Sequence, residues 1–223
     1  MKYLTQVLGR VDGVVLESGA LDGLRFSSTY ALQHALHWTA VHIEASGEFE
    51  QLEKNRPEGP QCLNKRAALC GREQTVHFME NKEPAVRGIW EFMLQQFRVD
   101  FYPEYDSLQP TPVLLPGGKQ VSAFTTLPCR PLGAVLPPHI DTIDVWFLDV
   151  EGAEAAVLRS TDFSKLQIGI VVKERQNDNW IAEQEASAHL QNNGFDFVGT
   201  DSIGTSSIFV NRCIAENAEL LSL

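Results

Sequence analysis

The chain has 223 residues, 43% of them hydrophobic, so it can bury the core of one α/β domain. Its 18 basic and 29 acidic residues give a net charge of −11, which argues against a nucleic-acid backbone or an anionic membrane as a partner. No segment approaches the roughly 18 apolar residues of a membrane span, so we expect a soluble, cytoplasmic protein.

Strand-like and helix-like segments alternate through the first eighty residues. Residues 13–17 form a short apolar run that predicts a strand ending in a carboxylate, and a glycine-bearing turn follows at 18–23. Ser27 or Ser28 can cap a helix that continues to about residue 37. The pattern then predicts a strand, a helix and two more strands, at 40–44, 49–55, 61–69 and 75–79.

The middle of the chain is less regular, and we interpret it as an irregular cap at about 85–140. A helix is predicted at 90–97, whereas prolines and glycines are dense between residues 102 and 138. This segment is neither charged nor rich in serine, and it contains apolar runs. An ordered insertion over the upper edge of the sheet is therefore favoured, with a disordered linker as the alternative.

The regular alternation returns after residue 140. Buried-type strands are predicted at 144–149 and 168–172, and helices follow them at 153–160 and 181–192. Residues 195–198 and 207–211 can pair as an antiparallel hairpin. The whole pattern predicts one α/β domain over residues 1–223, built on a parallel sheet with helices on its faces.

The four cysteines are Cys62, Cys70, Cys129 and Cys213, and none forms a Cys-x-x-Cys pair. Four cysteines in a chain of this length do not make a disulfide framework. We therefore expect reduced cysteines in an intracellular setting.

The strongest local signal is the turn at residues 17–23, ESGALDG, between the first predicted strand and the first helix. Glycines there let the backbone pass close to a bound nucleotide. A tight turn without a ligand would use the same residues, but Glu44 ends the next strand about twenty residues later. An acid at that position accepts hydrogen bonds from a ribose diol, so the two features together predict an adenosine-containing ligand.

Glu17 distinguishes between two such ligands. It occupies the first glycine position of the GxGxxG pattern, which holds pyrophosphate at a helix N-terminus in dinucleotide-binding proteins. A carboxylate there repels phosphate. It suits S-adenosylmethionine, which carries an ammonium and a sulfonium and no phosphate, so the charge favours this cofactor over NAD.

Three carboxylates, those of Asp149, Glu151 and Glu154, follow the predicted strand at 144–149. Ligands of open α/β sheets bind outside such carboxyl ends. Glu154 is equally explained as an acid in the first turn of the next helix. We assign Asp149 as the general base and Glu151 as its electrostatic partner, and we expect no metal because no further ligand cluster can be recognised.

Several blocks of sequence, in order, resemble the FkbM-type S-adenosylmethionine-dependent methyltransferases. They are VVLESGALDGLRFSSTYALQHALHWTAVHIEA, LEKNRP, CLNKRAAL, RGIWEFM, IDVWFLDVEGAEAAVLRSTDF and LQNNGFDFVGTDSIGTSSIFVNR. The resemblance extends over nearly the whole chain. It implies a class I methyltransferase fold, a Rossmann-like, mostly parallel sheet of seven strands whose last strand is antiparallel, with helices on both faces.

The resemblance also implies roles for individual residues. The loop around the methionine part of the cofactor would comprise Glu17, Gly19, Ala20, Asp22 and Gly23. Glu44 would bind the ribose and Asn64 would lie near the adenine edge. Asp149 and Glu151 would lie beside the methyl group.

The resemblance implies methyl transfer, usually to a hydroxyl oxygen. We therefore expect an O-methyltransferase that acts on a small molecule or a glycan. The chain departs from the family pattern at Ser28, Gln33 and Lys173, which leaves open a catalytically silent module that only binds the cofactor. A nicotinamide-dependent oxidoreductase on a similar sheet is a further alternative, against which Glu17 argues.

Overall fold

A seven-stranded sheet forms the centre of the computed structural model, which describes residues 12–80, 83–103, 113–114, 120–121, 124–175 and 179–214. In chain order the described strands are β1 (Val14–Ser18), β2 (Thr39–Glu44), β3 (Cys62–Arg66), β4 (Ala68–Leu69), β5 (Gln74–Met79), β6 (Val113–Leu114), β7 (Gln120–Val121), β8 (Phe124–Arg130), β9 (Thr142–Leu148), β10 (Gln167–Glu174), β11 (Phe195–Thr200) and β12 (Ser206–Asn211). The described α-helices are α1 (Tyr30–Leu36), α2 (Phe49–Asn55), α3 (Gln95–Phe101), α4 (Leu132–Val135), α5 (Glu154–Ser160) and α6 (Trp180–Asn192).

The strand order across the central sheet is β3-β2-β1-β9-β10-β12-β11. Strands β1, β2, β3, β9 and β10 pair in parallel, and β12 lies antiparallel between β10 and β11. The predicted mostly parallel sheet with an antiparallel last strand is confirmed. Because the chain builds outward from β1 and later returns to β9 on the other side of β1, the strand order reverses between these two strands. Ligands of open α/β sheets bind at such a reversal.

Apolar side chains cover both faces of the central sheet, as is typical of parallel strands buried on both sides. One cluster contains Trp146 together with Leu158 of α5 and Leu190 of α6. A cluster on the opposite face contains Val145 and Leu32 of α1. Helices therefore pack on both faces. None of the helices in the described ranges is long and apolar enough to cross a membrane.

A second sheet has the strand order β4-β8-β5. Strand β8 pairs in parallel with β4 and antiparallel with β5. Strand β8 lies within the segment that was predicted to be an irregular cap. This part of the cap is therefore a regular strand. Residues 104–112, 115–119 and 122–123 of the predicted cap lie outside the described residues.

Cys70 and Cys129 form a disulfide, with their Cα atoms 5.8 Å apart. The prediction of reduced cysteines was wrong for this pair. The two residues are 59 positions apart in sequence, and they meet because β4 pairs with β8, where Ala68 lies opposite Cys129. Cys62 is a buried free thiol and Cys213 an exposed one.

Two predicted elements differ from the structure. The strand predicted at 61–69 is two strands in different sheets, since the chain leaves the central sheet at Ala67, whose amide donates a hydrogen bond to the carbonyl oxygen of Glu44. The helix predicted at 90–97 begins instead at Gln95, because Leu94 has an extended backbone with ψ of 148°. The segment before it buries Trp90 in an apolar cluster.

Gly19 determines how closely the loops after β1 and β9 approach each other. Its φ is +88°, and a Cβ atom on it would lie 1.9 Å from the carbonyl oxygen of Asp149. Only glycine fits this position. The Gly19 amide donates a hydrogen bond to the carbonyl oxygen of Ile43 (2.9 Å), and the Asp149 amide donates one to that of Ser18 (3.0 Å). These contacts join the carboxyl ends of β1, β2 and β9.

We predict that Gly19→Ala destabilises the folded chain by about 2 to 4 kcal/mol, because the new Cβ meets backbone and the positive φ is strained for alanine. Urea unfolding measures this change. Gly133→Ala is the matched control, since Gly133 lies in α4 and a Cβ on it would meet nothing within 4 Å. An equal stability for Gly19→Ala and wild type would contradict the close approach.

Candidate active site

A cavity of about 520 Å³ opens at the carboxyl ends of β1, β2, β9 and β10. Its volume is within the range of small-molecule sites. The loops after β1, β2 and β9 form three of its walls, and Gly19 and Ala20 belong to the first of them. Residues of the small sheet, together with Pro84, Arg87, Gly88 and Ile89, form a further wall. The cavity therefore lies where the strand order reverses.

Glu44 lies at the end of β2 and lines the cavity although it is only 4% exposed. Its two carboxylate oxygens accept hydrogen bonds from the amides of Leu21 and Ser46, each at 2.7 Å. These amides fix the side chain in one orientation. A carboxylate has about four acceptor positions, so Glu44 keeps capacity for the hydroxyl groups of a ligand.

An apolar wall lies in the same cavity as Glu44, and no sequence pattern indicated it. Its side chains come from the β3–β4 connection, β4, β5 and the segment before α3; they are Ala67, Ala68, Leu69, Phe78 and Ile89. They meet only because the small sheet folds against the end of the central sheet. Such a surface can hold a flat heteroaromatic ring.

Asn64, predicted to lie near the adenine edge, is not among the residues that line the cavity. It is 4% exposed and belongs to a buried hydrogen-bond network. Its amide nitrogen donates to the carbonyl oxygen of Arg56 (2.7 Å), and its amide oxygen faces the Nδ1 atom of His42 (2.9 Å). This placement gives Asn64 a structural role and leaves the apolar wall as the place for a ring.

Glu17 lines the cavity, and its carboxylate also holds the loop that enters α1. It accepts a hydrogen bond from the amide of Ser28 (2.5 Å), and its Oε2 atom lies within hydrogen-bond distance of the hydroxyls of Ser27 (2.9 Å) and Thr29 (2.7 Å). The side chain is 5% exposed. Burial raises the pKa of Glu17 above its ordinary value, and the three hydrogen bonds oppose this shift.

Asp22 and Gly23, also predicted to contact the cofactor, do not line the cavity. The carboxylate of Asp22 accepts hydrogen bonds from the amides of Leu24 (2.9 Å) and Arg25 (2.7 Å). A Cβ atom on Gly23 would lie 2.5 Å from the side chain of Leu52, so glycine is needed there for packing against α2. Both residues therefore shape the loop.

Three carboxylates meet at the ends of β9 and β10. Oxygen atoms of Asp149, Glu154 and Glu174 all lie within 4.8 Å of one another. Glu174 was not predicted, because only the pairing of β9 with β10, with Leu148 opposite Lys173, brings the end of β10 beside Asp149. Both Asp149 and Glu174 line the cavity.

The crowding of these acids favours their protonated forms. Asp149 is exposed at the cavity, and the protein packed around its carboxyl group, followed by the charge of Glu154, raises its pKa to about 7. Burial and the charge of Asp149 raise the pKa of Glu174. The hydrogen bond between the two lowers the pKa of Asp149 and raises that of Glu174. Glu174 therefore keeps the proton and donates it to the Asp149 carboxylate.

Glu151 also lines the cavity, and burial followed by the charge of Asp149 raises its pKa to about 9. Its φ is 53°, so the chain turns at this residue. The chain is therefore not extended from Asp149 through Glu151. Glu154 shapes the turn, since its carboxylate accepts hydrogen bonds from the amides of Val150 (2.9 Å) and Gly152 (3.1 Å).

Left-handed backbone at non-glycine residues is concentrated around the cavity. Of the described residues with positive φ other than glycine, three line it: Leu21 (47°), Phe26 (62°) and Glu151 (53°). Such conformations cost energy and cluster at functional sites. Phe26 is also 68% exposed, so an aromatic ring is displayed at the cavity.

The cavity wall is strongly acidic. Among the described residues, five carboxylates line it, those of Glu17, Glu44, Asp149, Glu151 and Glu174, against two cationic side chains, those of Arg25 and Arg87. Arg87 is paired with Glu48 at 3.1 Å, and Arg25 lies 3.7 Å from Glu83. Burial and crowding raise the pKa values of Glu17, Asp149, Glu151 and Glu174. A ligand that carries positive charge stabilises their ionised forms and is favoured, whereas phosphate is disfavoured.

Asp149, Glu154 and Glu174 also lie close enough together to hold a cation, which the sequence did not suggest. Two observations weigh against them as ligands. The Glu154 oxygens already accept backbone amides, and the hydrogen bond between Asp149 and Glu174 needs a proton that a cation would displace. Independence of metal stays a prediction.

The profile of the methyltransferase FkbM domain matches residues 17–197. A crystal structure of methyltransferase FkbM from Methylobacillus flagellatus KT superimposes with a TM-score of 0.52 at 9% identity. The match covers 89% of this chain and 43% of that one, so the chain spans less than half the length of that protein. Precorrin-6y C5,15-methyltransferase from Geobacter metallireducens GS-15 gives a TM-score of 0.41 at 11% identity, covering 93% and 86% of the two chains. No curated protein is significantly similar in sequence.

The raised pKa values predict that the ligand-free protein loses stability as the pH rises. Below pH 3.8, Asp149 is protonated in both the folded and the unfolded chain. Above it the unfolded chain releases the proton, whereas the folded chain keeps it up to about pH 7. The contribution to the free energy of unfolding is therefore full at low pH and is lost as the pH rises through 7. Urea unfolding at a series of pH values measures it.

Glu174→Gln removes one acid of the cluster, so this variant should lose less stability than wild type over the same pH range. Glu53→Gln, at an exposed position of α2, is the matched control and should follow wild type. Parallel pH dependences for wild type and Glu174→Gln would contradict the strained carboxylate cluster.

Proposed function

The chain belongs to the methyltransferase FkbM domain family, and we propose that it transfers a methyl group from S-adenosylmethionine to a hydroxyl oxygen of a small molecule or glycan. The observation that carries this proposal is the acidic cavity at the strand-order reversal, beside the contact between Gly19 and Asp149. The cavity offers carboxylates to a cationic ligand, and the loop after β1 lacks the glycine pattern that binds pyrophosphate.

The parts of S-adenosylmethionine match separate parts of the cavity wall. The apolar surface around Phe78 and Ile89 suits the adenine ring, and Glu44 suits the two ribose hydroxyls. Glu17 and the loop at Gly19 and Ala20 suit the methionine part, whose ammonium is attracted by the carboxylate. The sulfonium then lies towards the carboxylates after β9.

NAD fits this cavity poorly. Its pyrophosphate is an anion and needs free amides or cationic side chains. In this cavity Glu44 and Glu17 already accept the nearest backbone amides, those of Leu21, Ser46 and Ser28. The charge and the hydrogen bonding both argue against a nicotinamide-dependent oxidoreductase.

Asp149 is the best candidate for the general base. S-adenosylmethionine, when bound, supplies a methyl group on a positively charged sulfur. Asp149 is open to the cavity, and a pKa of about 7 suits a carboxylate that takes a proton near neutral pH. Glu174 donates a hydrogen bond to it and holds its orientation. Much of the rate then comes from alignment of the acceptor oxygen with the methyl carbon and sulfur.

Of the three departures from the family pattern, Ser28 lines the cavity, whereas Gln33 and Lys173 do not. Gln33 bonds the side chain of Arg56 and the backbone of Gln61, outside the cavity. Lys173 is buried and paired with Glu183 at 2.6 Å. Neither side chain lines the cavity, so the acids that would receive the acceptor remain in place.

We predict that S-adenosylmethionine and S-adenosylhomocysteine bind the protein and that NAD does not. A ligand at 100 times its dissociation constant stabilises the folded state by about 2.7 kcal/mol, which a thermal melt detects. A stabilisation by NAD and none by the two adenosyl ligands would refute the proposed cofactor.

Glu44→Gln tests where the ligand binds. The loss of a charged acceptor for two hydroxyls should weaken binding of S-adenosylhomocysteine by roughly 10- to 100-fold in calorimetry. Glu53→Gln, remote from the cavity, is the control and should bind as wild type.

We predict that Asp149→Asn lowers turnover by about 10² to 10⁴ while cofactor affinity changes only a few-fold. Wild-type turnover should rise with pH through about 7, as Asp149 ionises, and the variant should lose this rise. The assay uses a panel of hydroxylated acceptors and follows S-adenosylhomocysteine. Wild-type turnover by a variant that binds the cofactor would refute the assignment, whereas loss of binding would indicate a structural role.

A further inference from the structure

A continuous chain of buried hydrogen bonds runs from the cavity wall into the sheet. Thr29 Oγ1 lies 2.7 Å from Glu17 Oε2 and 3.1 Å from His42 Nε2. The other ring nitrogen of His42 lies 2.9 Å from the amide oxygen of Asn64. Thr29 and His42 are fully buried, so water does not complete these bonds.

The direction of the last bond is fixed. The amide nitrogen of Asn64 donates to the carbonyl oxygen of Arg56 at 2.7 Å, and the opposite amide orientation would place two oxygens in contact. The Asn64 oxygen therefore faces His42. Since an amide oxygen only accepts, His42 Nδ1 carries a proton and donates it.

The remaining bonds leave two arrangements. If Glu17 is ionised, Thr29 donates its only proton to Glu17, and His42 Nε2 must donate to Thr29, which makes His42 an imidazolium. If His42 is neutral, Thr29 donates to His42 Nε2 and a protonated Glu17 donates to Thr29. If Glu17 is ionised and His42 is neutral, the one proton of Thr29 serves only one of its two neighbours, and the contact with the other neighbour contains no hydrogen.

We propose that Glu17 and His42 share one proton across the hydroxyl of Thr29, which makes Thr29 and His42 positioning residues that set the charge of Glu17. In the transfer, the Glu17 O–H bond breaks and its proton goes to Thr29 Oγ1. The Thr29 proton goes to His42 Nε2. A neutral pair becomes a carboxylate and an imidazolium with no proton gained or lost.

The surroundings of His42 place this proton on Glu17 in the ligand-free protein. The titratable and charged groups facing the ring are Glu17 from β1, Cys62 from β3 and Arg56 after α2. Burial and the positive charge of Arg56 lower the pKa of His42 to about 4. Burial raises the pKa of Glu17.

Glu17 lines the cavity, so a cation bound there reverses this preference. This step rests on the proposed function, which brings the ammonium of S-adenosylmethionine to Glu17. The ammonium favours the carboxylate, and the proton moves to His42. The site therefore gains a negative charge only when the amino-acid part of the ligand is present.

Nitrogen-15 NMR of histidine-labelled protein tests the proposal, with the His42 signal assigned by its absence in His42→Gln. In the ligand-free protein at neutral pH, Nε2 of His42 should be unprotonated, and carbon-13 NMR of labelled glutamate should reveal a protonated Glu17. Saturating S-adenosylmethionine should protonate Nε2. The ligand 5′-methylthioadenosine, which lacks the ammonium, should not.

Thr29→Val breaks the chain of hydrogen bonds with little change in shape, and Thr29→Ser preserves it. Thr29→Val should abolish the His42 response and weaken S-adenosylmethionine roughly tenfold, with 5′-methylthioadenosine unaffected. Thr29→Ser should behave as wild type. If His42→Gln fails to fold, the spectra of Thr29→Val assign the signal instead. The histidine signal that responds to S-adenosylmethionine in wild type and not in Thr29→Val belongs to His42.

Two results would overturn the proposal. One is a ligand-free protein in which Glu17 is ionised and His42 Nε2 is unprotonated. The other is a His42 that stays neutral when S-adenosylmethionine is bound. Failure of S-adenosylmethionine to bind at all would count against the proposed function, and the ligand-free spectra would still decide whether the proton is shared.

Discussion

Gly19 lies so close to the carbonyl oxygen of Asp149 that a Cβ atom on it would be 1.9 Å away. This approach joins the loops after β1 and β9 at the point where the strand order reverses. Because the Gly19 amide also binds the carbonyl oxygen of Ile43, the carboxyl ends of three neighbouring strands are fixed relative to one another. The cavity is the space above these strand ends, so the contacts between the loops set where its acids lie.

The acids of the cavity are held in place at a cost in stability. Glu44 is compensated by two backbone amides, and Glu17 by one amide and two hydroxyls. Asp149 and Glu174 share a hydrogen bond, and burial and repulsion from neighbouring acids raise the pKa values of both. A cationic ligand relieves this repulsion. The repulsion between the acids therefore both destabilises the ligand-free site and favours the binding of a sulfonium.

Sequence patterns predicted the fold well because the central strands are apolar runs whose partners follow from α/β topology. They also located Glu17, Gly19, Glu44 and Asp149, each of which directly ends or follows a strand. What they missed depends on pairing between distant segments. Glu174 reaches Asp149 through the register of β9 and β10, and Cys70 meets Cys129 through β4 and β8. Asn64, predicted near the adenine edge, is held by His42 and Arg56 in a buried network and does not line the cavity.

The structure of the complex with S-adenosylhomocysteine tests the account most directly, because it locates every part of the ligand at once. The account predicts the ribose hydroxyls on Glu44, the adenine ring against Phe78 and Ile89, the ammonium near Glu17 and the sulfur facing Asp149. A ligand whose ribose lies away from Glu44, or whose sulfur lies away from the loop after β9, would contradict it.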